Sequence, residues 1–170
     1  MTTQRSFPCW AYKLFLSIFL FVITPFAVHA EVTKLSSELK EILIDSSRFH
    51  EINTVKNLPT EVVSLIVGQG NKLADRGQKW EPSDAIQVDK YGRHLPTERF
   101  IWAVTDEEYY IVHYERNAAL APRPPALVII HFVKGEAKIL WGGTSYYVKS
   151  FKDFLSALDD PNIIFGQYPY

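Results

Sequence analysis

Apolar residues fall in three different patterns along this chain, and each pattern predicts a different kind of element. Leu14 to Thr24 (LFLSIFLFVIT) is a continuous run, broken only by Ser17 and Thr24. Further on, the spacing becomes helical. Leu35, Leu39, Ile42 and Leu43 form one stripe near Lys34 to Asp45, with Glu38, Lys40 and Glu41 on the outer side. A second helix is expected to begin around Pro59, whose fixed φ and missing N–H suit a first helical turn. Val62, Val63, Ile66 and Val67 supply its apolar side, and Gly68 or Gly70 can close it in a left-handed cap. A third is predicted after Ser150, which can accept from backbone N–H groups while Phe151, Phe154, Leu155 and Leu158 make the stripe. Pro161 stops it.

Between the second and third helices the period drops to two. Phe100 to Thr105 (FIWAVT) and Glu108 to Glu115 (EYYIVHYE) are rich in aromatic and β-branched residues, which suit a pleated surface. Asp106-Glu107 joins them. A loop that short pairs Thr105 with Glu108, Val104 with Tyr109, Trp102 with Ile111 and Phe100 with His113. Ala126 to Lys134 and Ala137 to Trp141 form a second hairpin about Gly135-Glu136. Asn117 to Pro125 (NAALAPRPP) reads as a stiff surface loop, since proline removes ladder donors. Gly77 to Leu95 is polar and reads as a long irregular connection. The expected fold class is α+β: a four-stranded antiparallel meander sheet with about three helices packed mainly on one face.

The first pattern concerns destination. Arg5 and Lys13 are the only charges before Glu31, and Val28-His29-Ala30 places small residues at the −3 and −1 positions of a cleavage site. This is the order of a signal peptide. A bilayer span needs roughly 20 apolar residues, and this run is too short. The expected organisation is residues 1–30 as a signal peptide and residues 31–170 as a single exported α+β domain, periplasmic or secreted. No stable membrane insertion is expected after cleavage.

Composition narrows the chemistry. The one cysteine, Cys9, leaves with the leader, so the exported domain has no disulfide, thiol nucleophile or Cys-based zinc site. The full chain has 18 basic and 19 acidic residues, net −1, and losing Arg5 and Lys13 makes it more acidic. With no basic stripe, no nucleic-acid partner is expected. The sequence contains no HExxH, GxSxG, P-loop or Gly-rich dinucleotide turn. No cofactor and no resident metal are expected.

Candidate site residues come from the sheet. His113 and Glu115, two apart on a strand, share a surface as acid–base or metal chemistry requires. His131 on the next strand faces the same side if the register allows. These three are the candidate catalytic set. Arg99 beside Tyr114 can clamp an anionic group through paired N–H donors. Trp80, Tyr109 and Tyr110 are candidate aromatic contacts for a partner.

The function expected from these observations is a small exported binding module. Its partner is a macromolecule or small ligand of the cell envelope. The alternative is a small secreted hydrolase, metal-assisted or not, built on His113, Glu115 and His131 with Arg99 as anion contact.

Overall fold

Residues 110–114 of one strand and 126–130 of the next are buried at every position. That pattern requires cover on both faces. The computed structural model describes residues 35–82, 88–117, 123–144 and 146–158, all within the unit Glu31–Tyr170. The segment expected to be a leader, the middle of the proline-rich loop and the aromatic C-terminus lie outside the described residues.

The sheet has β3 (Glu98–Thr105), β4 (Tyr109–Arg116), β5 (Ala126–Val133) and β6 (Glu136–Thr144) side by side, each antiparallel to its neighbour. Two short strands are added along the outer edge of β3. β1 (His50–Ile52) runs antiparallel against Thr105 to Ala103, and β2 (Leu73–Ala74) parallel against Glu98 and Arg99. Among the described residues the sheet therefore has six strands, not four. The two additions are too short to show a period in sequence.

Among the described residues three α-helices form: α1 (Ser37–Ile44), α2 (Thr60–Val67) and α3 (Phe151–Ala157). Caps set their starts. Ser36 Oγ accepts from Leu39 N at 3.2 Å, and Ser150 Oγ from Asp153 N at 3.2 Å. Asp153 Oδ2 in turn accepts from Lys149 N, the residue before the cap, at 3.1 Å. Pro59 stands just before α2, and Gly68 closes that helix at φ 78°.

Helices on mainly one face are corrected by two separate cores. In one, Leu58, Val62 and Val67 from around α2 pack on Phe100, Tyr110, Val112, Tyr114, Val128 and Ile130. In the other, Leu39 and Leu43 of α1 and Phe154 and Ala157 of α3 pack on Trp102, Val104, Ile111, Leu127, Ile129 and Trp141. Both faces of the sheet are covered, and β4 and β5 are accordingly buried at consecutive positions, not at alternate ones.

The first hairpin has a different register from the one expected. Thr105 lies opposite Tyr110, Val104 opposite Ile111 and Trp102 opposite His113. A bulge between Phe100 and Trp102 then sets Phe100 opposite Tyr114 and Arg99 opposite Glu115. The cause is Asp106. Its Oδ1 accepts from Tyr109 N (2.7 Å) and Glu108 N (3.2 Å), lengthening the loop, with Glu107 at φ 76°. The second hairpin turns at Lys134-Gly135, both at positive φ, one residue earlier than expected.

Candidate functional site

The long polar connection contains a small structured loop. Val88 and His94 form an antiparallel bridge, and Asp89 organises the residues between them. Its Oδ1 accepts from Tyr91 N (2.8 Å) and Arg93 N (3.0 Å), and its Oδ2 from Arg93 Nε (2.8 Å). Asp89 N donates to Arg93 O at 2.8 Å. Gly92, at φ 76°, takes the left-handed conformation this turn needs. The hydrogen bonds from the Arg93 backbone and side chain, then that from Tyr91 N, hold the Asp89 carboxyl below its ordinary value of 3.8. At the tip, Tyr91 is exposed, with Lys90 Nζ 4.9 Å and Arg93 Cζ 5.2 Å from its ring centre.

Behind this loop the chain is tied to the end of the sheet. Glu81 N donates to Pro96 O at 2.8 Å, and Asn117 N to Thr97 O at 2.8 Å. Asn117 Nδ2 donates to Glu81 O at 3.3 Å. The result is a cleft of about 530 Å³ with a mixed lining, Lys72, Glu81, Asp89, Arg93 and His94 beside Leu95 and Pro96. Glu81 is buried, whereas Lys72, Arg93 and His94 are exposed. The cleft offers donors and acceptors together, as a site for a small polar ligand requires. Among the described residues, no three His, Asp or Glu side chains converge as a metal site needs.

The residues singled out from sequence divide into separate groups. His113 is buried in the α1–α3 core with its ring 5.3 Å from that of Trp102. Glu115 is cross-strand to Arg99, and Arg99 Nε donates to its Oε2 at 2.5 Å. Arg99 also lies over Trp80, 4.9 Å from the ring centre, so three candidate residues form one stack.

His131 belongs to the opposite end of the ladder. It pairs with Tyr109, their rings 5.1 Å apart, and its Nε2 donates to Glu108 Oε1 at 3.0 Å. Since His113 pairs with Leu127, His131 is four residues further along β5, roughly 13 Å at about 3.3 Å per residue. His113 and His131 share a face but do not meet. Burial raises the Tyr109 phenol above its ordinary value, and the Glu108 and Asp106 carboxylates add to it. Tyr110 and Tyr114 are buried in the α2-side core, so neither offers a contact surface.

The cleft residues Lys72, Glu81, Asp89, Arg93 and His94 escape periodicity reasoning, because they follow no helical or strand pattern. The one local sign is Asp89-Lys90-Tyr91-Gly92-Arg93, an Asp-to-Gly turn pattern inside a stretch otherwise read as irregular.

Comparison with family models, with curated protein sequences and with solved structures finds no match for this chain.

Proposed function

We propose that this chain is a small exported binding module that holds a small polar ligand in the cleft between Lys72 and the 88–97 segment. The observation that carries this reading is the cleft itself: about 530 Å³, within the range of ligand sites, with the buried Glu81 and the Asp89–Arg93 pair in its lining. The buried Glu81 side chain belongs to a residue whose backbone N and O are both engaged. Asp89 spends its carboxylate on holding Arg93 and the turn, so the wall does not have to order itself when a ligand arrives.

The hydrolase alternative required His113, Glu115 and His131 around one point. The register spreads them along the sheet, with His113 in a core and Glu115 engaged by Arg99. Binding fits the geometry better than hydrolysis. The ligand is met in the cell envelope, as the leader implies.

Small molecules co-eluting with the purified chain test the reading, by mass spectrometry of the denatured protein fraction. The expected result is a polar compound retained by the parent and lost, by about tenfold in affinity, from Glu81→Gln and Lys72→Ala, as removal of a charge-assisted hydrogen bond implies. A ligand retained equally by both variants would remove the cleft from the proposal.

A further inference from the structure

β1 and β2 leave a gap on the outer edge of β3. β1 covers residues 103–105 and β2 covers 98–99, so the stretch between them lacks a strand partner on that side among the described residues. Arg76 fills part of the gap. Its Nε donates to Ile101 O at 2.5 Å, and its guanidinium lies 5.4 Å from the centre of the Phe100 ring. A cavity of about 170 Å³ opens there, lined by Glu51, Asn53, Arg76, Trp102, Lys149 and Ser150 among others.

We propose that this cavity is a second binding subsite, separate from the cleft, for a single oxyanion: the carboxylate or phosphoryl group of a small ligand. The arginine carries the argument. With Nε anchored on the backbone and the plane packed on an aromatic ring, the side chain has little left to order on binding. Its terminal nitrogens form the fork that matches two oxygens of an oxyanion. Neither Arg76 nor Lys149 forms an ion pair among the described residues. Asp75, the acid next to Arg76, is hydrogen-bonded through its Oδ2 to the Thr54 hydroxyl at 2.5 Å and through its Oδ1 to Arg76 N at 2.9 Å, while its charge still acts on Arg76.

A second observation is independent of charge. Trp102 is 7% exposed, and its Nε1 has no acceptor among the described residues. Trp102 lines the cavity, so its indole N–H signal reports on what enters there. Size sets the class. The cavity holds one oxyanion group and a few waters, well short of a nucleotide. Glu51 is the opposing feature, and its presence makes a prediction of sign.

Titration of the purified chain with inorganic phosphate and, separately, acetate tests the site, followed by the Trp102 indole N–H signal in NMR at matched ionic strength. A saturable shift is expected with at least one of them, and the one that binds identifies the group. Arg76→Lys keeps the charge but loses the fork, and should weaken binding about tenfold. Lys149→Gln should weaken it by roughly two- to fivefold, and Glu51→Gln should tighten it by a similar factor. Shifts no different from those given by chloride overturn the proposal. So does an Arg76→Lys variant that binds as the parent does while its remaining spectrum is unchanged. Neither result bears on ligand retention by the cleft, so the two readings fail separately.

Discussion

At the scale of single residues, Glu98 shows how burial sets a pH response. Burial pushes its carboxyl above the ordinary value of 4.5, against the opposing pull of the Thr97 hydroxyl, which donates at 2.6 Å, and of Arg116. A carboxyl whose folded value is raised binds its proton more tightly in the native state than in the unfolded one. Its contribution to stability therefore falls as pH rises from 4.5 through the raised value, and stays low above it. Asp89 has the opposite sign. Its lowered carboxyl adds stability above 3.8 that is lost as pH falls through its folded value. The Glu98 effect is isolated by difference. The stability of Glu98→Gln minus that of the parent, from urea denaturation at a series of pH values, should grow across the window just above 4.5 and then level. A flat difference would mean that the carboxyl is not desolvated.

At the scale of elements, α3 depends on its packing. A seven-residue helix has too few turns to persist alone, so its position must come from Ser150 at the start and the apolar stripe behind it. Phe154 is fully buried, with its ring 6.2 Å from Trp141 and 6.4 Å from Phe151. Phe154→Ala should cost about 3–5 kcal/mol in urea denaturation, a large share of the 5–15 kcal/mol typical of a whole domain. A loss under about 1 kcal/mol would place Phe154 outside the core. The helices were legible in sequence because a cap and a stripe are both local signals: Ser150 and Phe154 lie within one turn of each other. The first hairpin was legible as a hairpin but not in register. Asp106 draws two backbone N–H groups onto one carboxylate oxygen, and the Phe100–Trp102 bulge shifts the pairing again. Neither shows in a count of alternating residues.

At the scale of the whole molecule, what a sequence shows depends on whether neighbours in space are neighbours along the chain. The run Ala126 to Ile130 shows that a strand is buried on both faces, and that is where the one-sided packing expected from the order of elements gives way. The stack of Trp80, Arg99 and Glu115 joins residues that were each singled out, yet their meeting depends on the bulge. The cleft joins Lys72, Glu81 and His94 from polar stretches with no period to read. The expected leader is different, because its signal is entirely local. The acid-free segment ends at Val28-His29-Ala30, ahead of Ser36, the residue that caps α1. A cut after Ala30 therefore falls ahead of every described helix and strand along the sequence. When the chain is expressed in an exporting cell, the recovered protein should begin at or near Glu31 by N-terminal sequencing, and its intact mass should lack residues 1–30. Soluble protein that still begins at Met1 in the cytoplasm would overturn export and, with it, the envelope as the place where the ligand is met, while leaving the cleft and the Arg76 cavity to be tested on their own chemistry.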